Sequence, residues 1–362
     1  MKKALLASTF LAIVAGTTPA LASDYKIIDT SSIDRKTCEV RGYGPWFDKV
    51  PFAKYDKYVK GYDNSHFKST SAFIKENMKF LNHALIGKTS DRHDQQFKAR
   101  IMQLVKSKKF TRLDWEEPGG SSPSFVTTIL VKNLSYSVEY LISKNLITDK
   151  DMKQIDKYMS RLIRNLEMVS EGRYQSVRGT VAIDHQFSAG TAMLMWGAVS
   201  HNDDLFTKGK ERFFKVLKRL DRHFYFAKDL RHNNEAVHNM THGAHILKLN
   251  GIDVMSMEFK TGSVAEQIQL HAKKVVENGS KKIKTSGDRT SKARSILRKE
   301  GYGTHVAWVP IYFTLGNDAE VQNLHEVVSE EWANSRYYTQ LFGVDPGCYW
   351  GANDSYHYRG DR

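Results

Sequence analysis

The chain has 362 residues, of which 41% are hydrophobic and only two are cysteine. These proportions exclude a mainly disordered protein and a small scaffold held by many disulfides. Lysine and arginine outnumber aspartate and glutamate by 54 to 40, and the resulting net charge of +14 indicates an anionic partner: nucleic acid, acidic glycan or anionic lipid.

The N-terminus has the pattern of an export signal. Two lysines at positions 2 and 3 precede an apolar run at 4–16, and Ala-Leu-Ala at 20–22 supplies a small-residue cleavage site. We predict a signal peptide over 1–22 and a mature chain of charge +12 that is periplasmic or secreted. No apolar run is long enough to span a bilayer, so no stable membrane insertion is expected. Export argues against nucleic acid as the partner and favours an anionic polysaccharide.

The two cysteines, Cys38 and Cys348, lie near opposite ends of the mature chain. In an oxidising compartment a disulfide between them would tie the two ends together. Two free buried thiols are the alternative, because sequence alone does not give the distance between them.

Helical periodicity dominates the chain from about Ser71 onward. Apolar residues recur at three- and four-residue steps from Phe125 to Ile142, and again from Met152 to Leu166, where Thr148 supplies a capping residue. Similar segments are predicted over about 91–106, 187–200, 205–220, 235–249, 264–277, 305–315 and 319–332.

The connectors between these segments are short, as at 145–149 and 201–204, and sustained strand alternation is hard to find. We therefore predict an all-α fold of ten to eleven helices, arranged as antiparallel hairpins in an (α/α) toroid or solenoid. This single domain would cover residues 23–362, with an irregular segment at 23–70 and an aromatic tail at 336–362. A strongly basic stretch at 279–299 is predicted as a solvated loop, with a lid that grips a polyanion as the alternative.

Polar residues gather at the entrances of two predicted helices. One group comprises Arg231, His232, Asn233, Asn234 and Glu235, followed by His238, Asn239, His242 and His245; the other comprises Asp184, His185 and Gln186. Helix entrances favour bound anions, because their backbone N–H groups are unpaired and the helix dipole is positive there.

Several interpretations of these groups compete. The Glu235-to-His238 spacing resembles half of a di-iron motif, but no second half is evident, and we expect neither a metal nor another cofactor. Capping and core hydrogen bonding explain any single residue, His242 and His245 above all. A glycoside hydrolase would need two carboxyl groups, which Asp114, Glu116 and Glu117 could supply.

The bunching of Arg, His and Asn instead favours β-elimination on a polyuronate. That reaction needs donors that neutralise a carboxylate, a base that takes the C5 proton, and an acid that protonates the leaving oxygen. Amide, His, Arg and Tyr side chains provide these functions without paired carboxylates.

Two stretches carry a resemblance to a known family. Residues 184–190, Asp-His-Gln-Phe-Ser-Ala-Gly, continuing to Asp-Leu-Phe at 204–206, resemble the Asn-Asn-His helix of alginate-lyase-type polysaccharide lyases. Residues 229–239, Asp-Leu-Arg-His-Asn-Asn-Glu-Ala-Val-His-Asn, are similar to the family's later catalytic segment, in which an Arg precedes the catalytic Tyr by about two turns. The resemblance covers about residues 120–250 and implies an (α/α) toroid with a deep cleft.

The resemblance also implies roles for individual residues. His185 would neutralise the substrate carboxylate or act as base, and Arg231 would stabilise the carboxylate or the intermediate. The sequence departs from the family at two positions: Asp184 stands where the family has Asn, and His238 stands where it has Tyr. We accordingly predict His185, Arg231, His238 and Asn234 as catalytic, with Tyr225 or Tyr302 as alternative acid/base groups. The predicted substrate-binding residues are Gln186, His232, Asn233, Asn239, Arg178 and Tyr302.

The sequence therefore predicts an enzyme that cleaves a uronic-acid-containing polysaccharide. A non-catalytic binder of such a glycan, or a glycoside hydrolase on the same fold, is the alternative.

Overall fold

The computed structural model describes residues 25–33, 66–111, 123–170, 183–221, 230–281, 296–297, 306–331 and 341–350. The predicted signal peptide lies outside these residues, as do most of the 23–70 segment, the basic stretch and the aromatic tail. The division into a signal peptide and a single domain stays a prediction.

Eleven α-helices make up most of the described chain. They are α1 (His66–Leu85), α2 (Asp91–Ser107), α3 (Pro123–Ser143), α4 (Asp149–Ser170), α5 (Ile183–Val199), α6 (Asp203–Leu217), α7 (Leu230–Leu249), α8 (Val264–Asn278), α9 (Val309–Leu315), α10 (Ala319–Glu331) and α11 (Pro346–Trp350). Two-residue strands β1 (Glu258–Phe259) and β2 (Gly262–Ser263) pair antiparallel before α8, and short 3-10 turns cover Thr30–Ser32 and Lys218–Asp221. The all-α prediction is confirmed.

The helices form an inner and an outer layer of hairpins. Helices α1, α3, α5, α7 and α9 pack side by side in that order, and α2, α4, α6, α8 and α10 lie behind them. Inner helix α5 is buried over 14 of its 17 residues, whereas outer helices α4 and α6 alternate buried apolar and exposed polar positions. This is the pattern expected when one layer is covered on both sides and the other faces water.

The inner helices run parallel to one another. Thr128 and Ser188, the sixth residues of α3 and α5, are joined by a 2.6 Å hydrogen bond. Phe125 of α3 likewise stacks on His185 of α5, so contacts between these two helices advance along both in the same direction. The same holds for Asn77–Asn133 and Phe80–Tyr140 (α1 and α3), Lys132–Asn239 and Tyr136–His242 (α3 and α7), and Asn234–Trp308 and His245–Thr314 (α7 and α9). All inner helices therefore begin at the same edge of the molecule, which we name the leading edge, and the outer helices return to it.

Local signals fix several helix starts. Ser90 and Ser263 each cap their helix with a reciprocal side-chain bond to the third helical residue, and Asn202 accepts the Leu205 N–H at the start of α6. Thr148 accepts the Asp151 N–H, as its predicted capping role requires.

The C-terminal residues 341–350 lie in the interior, against the inner helices. The Gly343 carbonyl accepts the Asn133 amide at 2.7 Å, and the Trp350 indole donates to His245 Nε2 at 3.1 Å. Cys348 is disulfide-bonded, so the alternative of free thiols is wrong; Cys38, the other cysteine of the sequence, lies outside the described residues. None of the described helices combines the length and apolar character needed to cross a bilayer.

Helices α5 and α6 approach each other at backbone distance. A Cβ placed on Gly197 would lie 2.5 Å from the Phe206 backbone nitrogen, and one on Gly209 would lie 2.6 Å from the Leu194 nitrogen. Glycine is required at both positions because a methyl group would push α5 and α6 apart.

We expect Gly197→Ala to destabilise the protein by about 1–3 kcal/mol, since overpacking outweighs the helix propensity gained by alanine. Urea unfolding monitored by circular dichroism measures the change. Gly316→Ala is the control, because its Cβ would have ordinary contacts at 3.5 Å or more. Equal stabilities for the two variants would contradict the close-packing account.

Candidate functional site

The start of α5 brings together Asp184, His185 and an aromatic ring. His185 stacks on Phe125 of α3, with 4.4 Å between the ring centroids, and its Nε2 lies 3.6 Å from the Asp184 carboxylate. Asp184 is buried in the first helical turn, where the helix dipole favours a carboxylate, whereas the His185 side chain is 25% exposed. The structure thus turns Asp184 inward and leaves His185 reachable at the leading edge.

The start of α7 lies beside the start of α5, since these two inner helices pack against each other. Its first turns carry His232, which is half-buried, and Asn233, which is buried. Gln186 is half-buried on α5. The polar groups predicted from two distant stretches therefore lie on adjacent helix starts.

Several predicted residues lie outside the described part of the chain. Arg231 belongs to α7, but its side chain is not described. The remaining candidates outside the described residues are Arg178, Tyr225, Tyr302, Asp114, Glu116 and Glu117.

Asn234 uses its side-chain oxygen inside the protein. The oxygen accepts from the Trp308 indole at 2.9 Å and from His271 Nε2 at 3.1 Å, and the residue is buried. The side chain thus ties α7 to α8 and to the start of α9. Burial lowers the pKa of His271 to about 3, so this ring is a neutral donor near pH 7.

His238 lies one turn deeper on α7 and is 1% exposed. Its Nδ1 is 2.8 Å from the Asn234 carbonyl oxygen. A carbonyl can only accept, so Nδ1 carries the proton and Nε2 carries the lone pair of the neutral ring. The Phe342 ring stacks against the imidazole at 5.5 Å, so His238 has the electronic form of a base but lies beneath the C-terminal segment.

A buried lysine lies next to this group. Lys132 of α3 donates to the Asn239 side-chain oxygen at 2.8 Å and to the Leu341 carbonyl at 3.1 Å, with no exposure to solvent. Desolvation lowers the pKa of Lys132 to about 7. Asn239, predicted to bind substrate, is thus buried and holds the lysine. Sequence reasoning missed Lys132, although a lysine within the apolar run of α3 was a visible signal.

Tyr136 and two further histidines extend the buried polar group. The Tyr136 hydroxyl bonds to His242 Nε2 at 2.9 Å, and His245 bonds to Thr314 at 2.7 Å. Burial holds the pKa of His242 well below its usual range and lowers that of His245 to about 4. Across the described residues, no three His, Cys, Asp or Glu side chains gather as a metal site would require.

The buried lysine predicts a specific pH dependence of stability. Between about pH 7 and 10.5 the unfolded chain holds the Lys132 proton and the folded chain does not, so stability should rise with pH. Lys132 contributes at most about 1.4 kcal/mol per pH unit to the slope of the unfolding free energy against pH. We expect Lys132→Met to remove that slope, measured by urea unfolding across the window, whereas Lys106→Met, at an exposed position, keeps it. Parallel curves for wild type and Lys132→Met would contradict the buried-amine account.

Comparisons with known proteins return structural neighbours only. No protein-family model matches the sequence, and no curated protein matches it. The matching solved structures include three of alginate lyase A1-III, each 13% identical to this chain. A Tyr-to-Phe variant complexed with tetrasaccharide has a TM-score of 0.56, and the match covers 89% of this chain and 95% of that one. A His-to-Ala variant complexed with tetrasaccharide and the enzyme from Sphingomonas species A1 have TM-scores of 0.59 and 0.57, and each match covers 92% of this chain and 99% of the other. The chain therefore has the (α/α) toroid fold of alginate lyase A1-III.

Proposed function

We propose that this protein is a polysaccharide lyase that cleaves a uronic-acid-containing glycan by β-elimination. The observation that carries the proposal is the adjacency of two polar helix starts, α5 with His185 and α7 with His232 and Asn233, at the leading edge of a lyase-type toroid. The positive ends of two parallel helix dipoles at this edge favour an anionic substrate.

His185 is the residue best placed to meet the sugar. Its side chain is partly exposed, its ring is held by Phe125 on one face, and the Asp184 carboxylate lies beside Nε2. In the proposed reaction His185 contacts the substrate carboxylate or takes the C5 proton, and Arg231 stabilises the developing negative charge. Removing the C5 proton forms the C4–C5 double bond as the C4–O bond breaks, and an acid protonates the leaving oxygen.

His238 is the proposed second acid/base group. Its Nε2 lone pair suits proton transfer, and a proton accepted there can be returned to the leaving oxygen. In the described structure Phe342 covers the ring, so this role requires the C-terminal segment to shift when the substrate binds.

The burial of His238 favours a second candidate function. A protein whose acid/base group stays covered would bind the glycan without cleaving it, through the same exposed helix starts. In both cases the proposed partner is an anionic polysaccharide met after export to the periplasm or the exterior.

The proposal predicts loss of turnover in single variants. His185→Asn and His238→Asn should each lower kcat/KM on a polyuronate by at least about a hundredfold, because general acid–base groups contribute that much or more. The assay follows ultraviolet absorbance of the conjugated double bond formed by elimination. His201→Asn, at an exposed histidine, is the matched control and should retain full activity.

Thermal unfolding shows whether the His238→Asn variant, which changes a buried residue, still folds. If it does not fold, the activity of His185→Asn alone tests the assignment. Wild-type activity in both site variants would overturn the residue assignment. Absence of the absorbance change with every polyuronate, together with retained binding, would establish the binder instead.

A further inference from the structure

The outer face of α4 carries a row of cations that the proposed site does not use. The row consists of Lys150, Lys153, Lys157, Arg161 and Arg164; Arg161 is half-buried and the other four are exposed. With 3.6 residues per turn these positions fall within an arc of about 80°, and the row is about 21 Å long. We name this row the α4 stripe.

No stripe cation forms an ion pair with an acidic residue of α4 among the described residues, although Asp149 and Glu167 lie four and three residues from Lys153 and Arg164. Asp151 pairs with Lys98 of α2 at 2.7 Å and accepts from Thr148, and Asp156 accepts from the Trp196 indole at 3.1 Å. Ion pairs between described residues join Lys79 to Glu76, Lys98 to Asp151 and His185 to Asp184, and none includes a stripe cation.

An ordinary solvated helix face has acidic residues among the basic ones, whereas Asp149 and Glu167 of α4 lie about 40° outside the arc of the stripe. Acidic and basic residues on such faces usually alternate at three- and four-residue spacing, because those pairs stabilise the helix and like charges destabilise it. The exposed face of α6 shows that mixture, with Glu211 between Lys208 and Lys215. Five like charges on adjacent turns cost helix stability, and a bound polyanion would offset that cost.

The stripe leads toward the leading edge. The Trp196 indole, near the far end of α5, bonds to Asp156 in the first half of α4. The second half of α4, with Arg161 and Arg164, therefore lies nearer the leading edge, where His185 is partly exposed. A polymer lying along the stripe would extend toward the edge at which His185 lies.

We propose that the α4 stripe is a second binding surface, outside the toroid interior, for a long acidic polysaccharide. The inference rests on the proposed function for the identity of the polyanion. A linear charged chain fits a straight row of cations, and the sugar units held by the stripe would be additional to those at the helix starts. Long chains should then bind more tightly than short ones because both surfaces engage the same molecule.

The test compares two variants that remove the same amount of charge. The stripe variant replaces all five cations by glutamine: K150Q, K153Q, K157Q, R161Q and R164Q. The control removes five cations from α6 and the 3-10 turn after it: K208Q, K210Q, K215Q, K218Q and R219Q. Both are made in a His185→Asn background, so that bound chains stay intact during affinity measurements.

The probes are long alginate and an alginate tetrasaccharide. We expect the stripe variant to bind long alginate about tenfold or more weakly than the control variant, with a shallower salt dependence, while the two bind the tetrasaccharide equally. Equal losses in the two variants would overturn the proposal, since net charge alone would explain them. Stripe-dependent binding of anionic lipid vesicles or duplex DNA that exceeds alginate binding would overturn it as well.

The binding readout is independent of turnover. If the wild-type protein cleaves no polyuronate, the lyase proposal is overturned, but the affinities of the stripe and control variants can still be compared. Equal affinities of the two variants for long alginate would overturn the proposed role of the α4 stripe and leave the lyase proposal intact.

Discussion

Buried polar side chains on the inner helices need hydrogen-bond partners, and this requirement determines how the helices are arranged. The inner helices are covered on both sides, yet they carry Lys132, Asn133, Asn234, Asn239 and several histidines. A buried polar group without a partner costs about 1–3 kcal/mol, so these side chains must pair with neighbouring helices. The pairs they form fix which helices are adjacent and at what height.

The same bonds set the order of the inner layer. Asn77 bonds to Asn133, Thr128 to Ser188, Lys132 to Asn239 and Trp308 to Asn234, which joins α1 to α3, α3 to α5, α3 to α7, and α7 to the start of α9. Because the two members of each of the first three pairs lie at similar heights, α1, α3, α5 and α7 begin together, and α9 begins about level with the fifth residue of α7. The leading edge, with its partly exposed His185, follows from hydrogen bonds formed deeper in the interior.

The interior also accounts for the difference between the two proposed acid/base residues. His185 lies in the first turn of α5, where a helix meets solvent, and is packed on one ring face only. His238 lies two turns into α7, and its neighbours include the ring of Phe342 from the C-terminal segment. A charge of either sign is costly at that depth, and burial likewise lowers the pKa of His271 and Lys132.

Much of the fold was accessible from the sequence, because helix periodicity is a local signal. The predicted segments 91–106, 187–200 and 264–277 coincide closely with α2, α5 and α8. Phe125 beside His185, and Lys132 beside Asn239, were not accessible, because each contact joins residues at least 60 positions apart. The C-terminal residues 341–350 read as an irregular tail, yet they lie in the interior, since their pairing depends on distant side chains such as Asn133 and His245.

The candidate site was only partly predictable, because contacts between residues far apart in the sequence leave no local pattern. Clusters of Arg, His and Asn near Asp184 and Arg231 indicated two polar helix starts, and the parallel inner helices bring those starts together. The structure separates the candidate residues into buried and partly exposed ones, and composition does not show which are which. Asn234 and Asn239 serve internal partners, whereas His185 and His232 retain exposure.

Mass spectrometry of the products from a uronic-acid polymer distinguishes elimination from hydrolysis and from binding without cleavage. Elimination yields oligosaccharides with an unsaturated end, lighter by one water than the products of hydrolysis. We expect these unsaturated products from the wild-type protein and none from His185→Asn. Cleavage that yields only saturated fragments, or an intact polymer after prolonged incubation with folded wild-type protein, would contradict the elimination mechanism.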